Sequence, residues 1–376
     1  MKKLILLLIS ACMIAGELED LYLQGGITAV QKKIEKNLQS KEYWDNALKD
    51  LNLTYGYYSN SDRLIIAVDK TAKQISINRY ENGNIKVLKS NEIITGLMGE
   101  KLVEGDLKTP VGAYEITRRF TPPTTYYGPV AFSLSYPNLY DKLRKRTGSG
   151  IWIHGYPMEG DVRENEVETR GCVAMKNDLL IAFEDVVKNN KSIVIISEKG
   201  YPQALTSDIA VIFAGLFAWK DAWTISDLDR YLSFYSSDFR RFDGMKLSEF
   251  SAMKKRVFSK NESKIIEFKN FTIVPYPSTD SKNIYRVSFD ERYRADTYNF
   301  DGQKVLYVAV ENNNMKILLN LIWLVLGGFI VSLILFILGI LLMISIIGIP
   351  FGMQVFKLSR LILLPFGSEL KINFEK

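Results

Sequence analysis

The chain of 376 residues holds a single histidine, His154, and two cysteines, Cys12 and Cys172. One imidazole and two thiols cannot fill the four nitrogen or sulfur positions of a structural zinc site, so no metal is expected. No cofactor is expected either. Charge of one sign is also scarce: 48 Lys and Arg against 42 Asp and Glu leave +6. That bias suits an approach to anionic polymers or lipid head groups, but no basic cluster is interleaved with aromatics, which argues against nucleic acid. Short internal repeats and low-complexity tracts are missing. What remains is a length that allows two or three domains and a hydrophobic content of 47%, with the excess gathered at the two ends.

At the start, "MKKLILLLISACMIAGELED" places Lys2 and Lys3 before an apolar run from Leu4 to Ala15, then Ala15-Gly16. The run is shorter than the about 20 residues of a spanning helix, so 1–16 is expected to be an export signal, with an uncleaved anchor as the alternative. Ile9-Ser10-Ala11-Cys12 is similar to a lipobox, which would make Cys12 a lipidation site. With the signal removed, no disulfide can form within the monomer. A lone thiol in an oxidising compartment, Cys172, then points to chemistry rather than to a staple. At the other end, 40 residues between Lys316 and Lys357 carry no charge. Such a run reads as membrane: one long crossing followed by a re-entrant or interfacial bend at Pro350. Lys357, Arg360, Lys371 and Lys376 beyond it favour a cytoplasmic C-terminus.

Between the ends the periodicity changes three times. Over 17–59, Ile27, Val30, Ile34 and Leu38, then Trp44, Ala47, Leu48 and Leu51, recur at helical spacing, with Ser40 as the cap between two helices. Two short amphipathic helices must cover their stripes on the next domain or on a second copy, so a homodimer through them is one expectation. Over 60–200 the runs "RLIIAVDK", "QISINRY", "NIKVLKS", "SGIWIHGYP" and "KSIVIISEKG" are β-rich, with Asn82-Gly83 a hairpin signal. A β-sandwich or barrel-like domain is expected. Over 201–314 a helical, aromatic opening, with Thr224 or Ser226 capping its second helix, precedes three strand-like runs and predicts an α+β unit. The fold class is therefore mixed: an N-terminal helical module, a β-rich domain, an α+β domain and a transmembrane segment over 315–376.

The one histidine ends the apolar run "IWIH", which aims it from a strand end into a groove. Eighteen positions later Gly171 precedes Cys172, where a tight turn lets backbone N–H groups face a substrate carbonyl. An imidazole partner lowers a thiol's pKa from about 8.5, and Cys with His is the minimum set for acyl transfer through a thioester. The bland readings are a buried cysteine and a core histidine.

"HG", then "TRGCVAM", resembles the signature of the YkuD-type L,D-transpeptidase family, and "GDLKTPVGAYEITRR" resembles its second marker. The resemblance covers roughly Leu64 to Ser197 and implies an exported, β-rich enzyme acting on peptidoglycan stem peptides. It implies Cys172 as nucleophile, His154 as base, the Gly155 carbonyl as the group orienting the imidazole, and the amides of Gly171 and Cys172 as the oxyanion hole. Thr169, Arg170 and Lys108 are expected on the substrate side, with Arg170 or Lys108 meeting a carboxylate. Arg170 and Ala174 depart from the family's usual residues at positions bordering the acceptor. "LSYPNLYDKLRKRTGSGIWIHGYP" is similar to a branch of L,D-carboxypeptidases that trim tetrapeptide stems, in which a nuclear-transport-factor-like (SnoaL-like) cone follows the catalytic domain. "WKDAWTISDLDRYLSFYSSDF" resembles the opening of that cone, where Trp219, Trp223 and Tyr235 are candidates for a glycan pocket. The tail, with "IIGIPFG" and Pro365 to Gly367, resembles YccF-type inner-membrane proteins. The charged loop from Glu159 to Arg170 reads as solvated or as a lid. Carboxypeptidation, 3-3 transpeptidation and an idle wall-binding scaffold are the three functions left open.

Overall fold

The computed structural model describes residues 2–59, 63–81, 83–158, 168–201, 203–278, 283–310, 334, 336–338, 340 and 370–375. The chain divides into two units, Met1–Ala309 with Lys371–Lys376, and Val310–Leu370. Of the second unit, only Val310, Ile334, Phe336, Ile337, Leu338, Ile340 and Leu370 are described, the middle five helical. Among the described residues no helix is long and apolar enough to cross a membrane. The membrane reading of 315–376 otherwise lies outside them, as does the loop of 159–167.

The first unit opens with α1 (Lys2–Leu38), broken at Gly26 where φ is 66°, and α2 (Lys41–Leu48). Ser40 caps α2, its hydroxyl accepting the Tyr43 N–H at 3.3 Å. Then come β1 (Tyr57–Tyr58), β2 (Leu64–Asp69), β3 (Gln74–Glu81), β4 (Asn84–Glu92), β5 (Gly112–Phe120), β6 (Ala131–Leu134), α3 (Leu139–Leu143), β7 (Trp152–His154), β8 (Val173–Ala174), α4 (Asn177–Val187) and β9 (Ser192–Ser197). Strands β2 to β9 form one eight-stranded sheet in the order β4-β3-β2-β9-β5-β6-β7-β8. Residues 112–115 of β5 pair with β9 and 116–120 pair with β6, and Ile94, just beyond β4, exchanges two 2.8 Å bonds with Ala174 of β8, so the ends of the array meet in the barrel-like manner expected. Two parallel contacts, β2 with β9 and β7 with β8, interrupt an otherwise antiparallel array. A parallel neighbour needs a crossover, and α4 supplies part of it on the way from β8 to β9.

The second half carries α5 (Thr206–Thr224), α6 (Leu228–Ser233), α7 (Leu247–Phe258), β10 (Lys264–Pro275), β11 (Ile284–Ala295) and β12 (Asn299–Val310). Asp227 caps α6 by accepting the Arg230 N–H at 3.1 Å; Thr224, expected in that role, instead donates back to Lys220 O at 2.8 Å. Strands β10, β11 and β12 form an antiparallel meander flanked by β1 and by β13 (Leu370–Glu375). Strand pairing spans only about 4.8 Å, so β13 lies on the same side of any membrane as β12.

The central strands explain why "LIIAV" and "IVII" are continuously apolar. Strands buried on both faces lose the hydrophobic–polar alternation. Leu64, Ile66 and Val68 of β2, with Val194 and Ile196 of β9, face a core closed by Phe183 of α4. Ile65, Ile193 and Ile195 face the other way, onto Val274, Tyr276 and Tyr307 of the meander. Each such side chain contributes about 1.5–3 kcal/mol on burial, so the two halves share a core. Buried polar groups cross the same junction: Tyr276 OH donates to Asp141 Oδ1 at 3.0 Å and Arg286 pairs with Glu115 at 2.9 Å. Burial raises the Asp141 carboxyl to about 6 against the Asn138 amide, Tyr276 and Arg144, which pull it down.

The stripe of α2 is covered within the chain. Trp44 stacks on Phe213 of α5 with centroids 4.1 Å apart, and Leu48 is buried. For α2, α5 takes the place of a second copy, whereas Ile27 and Ile34 of α1 stay exposed; the homodimer has no support.

Candidate active site

Register brings the two reactive side chains to one sheet edge. In the β7–β8 pair, Ile153 lies beside Val173 and His154 beside Ala174. Ile153 and Val173 are fully buried in the core. Alternation then sends His154 and Cys172, the residue just before β8, to the opposite face.

His154 is 1% exposed, and its Nδ1 lies 2.7 Å from the Gly155 carbonyl. A carbonyl only accepts, so the neutral ring carries its proton on Nδ1 and leaves the Nε2 lone pair available as a base. The Tyr127 ring meets the imidazole edge-on at 5.0 Å. Gly155 is itself held: its N–H donates to Tyr127 O at 3.0 Å, and a Cβ there would stand 2.1 Å from Asn177 Oδ1. That same oxygen accepts the Tyr156 N–H at 2.9 Å. Asn177, the first residue of α4, therefore buttresses the carbonyl that orients His154. Sequence reasoning missed it; the signal was an Asn just ahead of Leu180, Phe183 and Val187 at helical spacing.

Cys172 is half-buried and outside any disulfide, Sγ lying 3.5 Å from the Gly150 carbonyl. Gly171 has φ +119°, and a Cβ there would meet the Lys108 carbonyl at 2.9 Å, so only glycine makes this turn. The Thr169 hydroxyl donates to the Cys172 carbonyl at 2.6 Å and accepts the Gly171 N–H at 3.1 Å. Thr109 adds a longer bond of 3.4 Å to the same carbonyl. The Gly171 amide thus donates to Thr169, and Thr169, 8% exposed, holds the backbone of Cys172.

The segments 100–106 and 144–146 are tied by ion pairs. Glu100 binds Arg144 at 2.8 Å and Arg146 at 3.2 Å; Lys101 binds Asp106 at 2.8 Å. Burial alone would raise Asp106, but Lys101 and the amides of Leu102, Lys108 and Val103 outweigh it and hold the carboxyl at about 2. Arg170 is exposed. The Lys108 ammonium lies at Gly99, 3.1 Å from where a Cβ on that residue would stand.

The cone carries an open pocket of 440 Å³ lined by Trp223, Tyr231, Tyr235, Lys254 and Lys304 among others. Trp219, fully buried, is not on its wall; its indole N–H donates to Tyr235 OH at 3.2 Å. The Lys254 ammonium sits 4.7 Å from the Trp223 ring centroid and 5.0 Å from that of Tyr231. Burial, aided by neighbouring Lys304, lowers its pKa to about 7. Among the described residues no cluster could hold a metal ion.

Three family models match: the L,D-transpeptidase catalytic domain (YkuD) over 63–196, the Cds6 C-terminal NTF2-like domain over 211–320, and the YccF inner membrane component domain over 318–368. The helical cell shape determining protein Pgp2 from Campylobacter jejuni is 45% identical in its crystal structure, covering 73% of this chain and 96% of that one at TM-score 0.68. The chain belongs to the YkuD-type L,D-transpeptidase family. Bd1075 of Bdellovibrio bacteriovorus is 27% identical over 70% of this chain and 93% of that one, TM-score 0.55. YafK of Escherichia coli (strain K12) is 32% identical over 84 residues, 22% of this chain; the match spans only 29% of that curated relative's length. At 73% of this chain, the match to Pgp2 is longer than the YkuD domain alone.

Proposed function

We propose that the chain is a cysteine acyl-transfer enzyme of peptidoglycan that removes terminal D-alanine from stem tetrapeptides. The observation that carries this is the bond from His154 Nδ1 to the Gly155 carbonyl, on the sheet edge shared with Cys172. It leaves Nε2 as the acceptor on the ring. His154 takes the thiol proton, and Sγ bonds to the carbonyl carbon ahead of D-alanine. The C–N bond breaks, the departing amine takes the proton, and water cleaves the thioester to free the thiol. The Cys172 amide is proposed as the oxyanion donor, with Arg170 and Lys108 on the substrate side. Resemblance to Pgp2, whose name speaks of helical cell shape, supports trimming over cross-linking. The apolar ends and the YccF match support an exported catalytic part tethered to the inner membrane.

Incubating the full-length protein with disaccharide-tetrapeptide should release D-alanine and leave tripeptide, and Cys172→Ala should abolish release. Cross-linked dimers in the same reaction would mark a transpeptidase instead. The cone's aromatic, lysine-lined pocket favours a second, non-catalytic reading as a wall-binding scaffold; unaltered substrate together with retention on wall sacculi would support it.

A further inference from the structure

Cross-strand partners in antiparallel pairs share a face. Two rows follow from the registers of β5, β6 and β7: Phe120–Ala131–His154 and Arg118–Ser133–Trp152. The intervening row, Arg119–Phe132–Ile153, turns the other way, with Phe132 and Ile153 in the core. On the first face the middle strand carries only Ala131 and Ser133. Their small side chains let Phe120 and Trp152 meet above β6, edge to face at 5.0 Å. Trp152 in turn meets Tyr127 at 5.1 Å, and Tyr127 meets His154 at 5.0 Å. The Arg118 guanidinium lies 4.5 Å over the far ring, Phe120. Phe120, Trp152 and Tyr127 are half-exposed and Arg118 is exposed.

We propose that this row is a saccharide-binding ledge, which seats the glycan strand whose stem peptide reaches Cys172. This rests on the reading of the chain as a peptidoglycan enzyme. The occupant follows from chemistry and continuity. A pyranose ring offers a flat C–H face that packs on half-exposed aromatics while its rim hydroxyls and acyl oxygens stay wet. The Arg118 guanidinium, held flat by Phe120, gives directed donors to such oxygens. The ledge starts at the imidazole, so a sugar seated on it is tethered within reach of the site. A row that served only to steady His154 would need Tyr127 but not Phe120 or Arg118, two rings further out.

The test uses the full-length protein with Cys172→Ala and compares binding of disaccharide-tetrapeptide with free tetrapeptide by calorimetry. The disaccharide form should bind about tenfold tighter, a factor typical of one or two stacking contacts. Phe120→Ala and Arg118→Ala should each remove most of that advantage without changing affinity for the free peptide, and Phe120→Tyr should keep it. Equal affinity for the two ligands, or variants that weaken both alike, overturns the ledge. Turnover with Cys172 restored separates the two proposals. No D-alanine release from either substrate defeats the acyl-transfer reading, whereas the binding difference still decides the ledge.

Discussion

Thr169→Val probes the arrangement behind the nucleophile most directly. Valine keeps the shape and removes the hydroxyl that donates to the Cys172 carbonyl at 2.6 Å and accepts the Gly171 N–H at 3.1 Å. The carbonyl is left with Thr109 at 3.4 Å, and a buried Gly171 N–H loses the acceptor it has here. A lost hydrogen bond costs about 0.5–1.5 kcal/mol and an orphaned buried donor about 1–3 kcal/mol, so the sum is about 2–4 kcal/mol. Part should appear as a lower melting temperature, at roughly 2–4 °C per kcal/mol for a domain of this size. The rest should appear at the thiol, since the turn then has more than one geometry. The expected result is a kcat for D-alanine release at least tenfold lower, slower thiol alkylation at neutral pH, unchanged KM, and recovery in Thr169→Ser. A normal kcat with a raised KM would refute the reasoning, because it would make Thr169 a substrate contact after all.

Asn177→Ala removes the acceptor for the Tyr156 N–H and the group packed on Gly155. It should lower kcat about tenfold or more through a misoriented imidazole, with little change in the circular dichroism spectrum. Asp141 gives a pH dependence of stability. Its folded pKa of about 6 lies above its unfolded value, so the folded state holds the extra proton between the two. Stability from this group is complete below pH about 4 and falls by about 3 kcal/mol as pH rises through 6, at 1.36 kcal/mol per unit. Denaturant melts at pH 4 and pH 7 should show that decline relative to Asp141→Asn, which cannot titrate; parallel profiles would place the pH effect elsewhere.

Local order was readable from residues alone because its causes are local. Ser40 before a helical stripe, Asn82-Gly83 between alternating runs, and the apolar "LIIAV" and "IVII" each announce their element by cap, turn or pattern. Scarcity alone named His154 and Cys172, and a resemblance supplied their order and spacing. Other features needed the assembled sheet. That β2 to β9 make one sheet, and that Ile65 and Ile66 feed two different cores, depends on which strands become neighbours. Composition does not encode that choice. The carboxamide of Asn177 reaches Tyr156 across 21 positions, and Thr169 looks in sequence like a substrate contact beside Arg170. Only the turn at Gly171 folds its hydroxyl back onto Cys172. The sequence by itself determined which groups can react and where helices and strands begin. The tertiary structure decided which amide, carbonyl and hydroxyl stand beside those groups, because hydrogen bonds act over about 3 Å and only register and packing set distances that short.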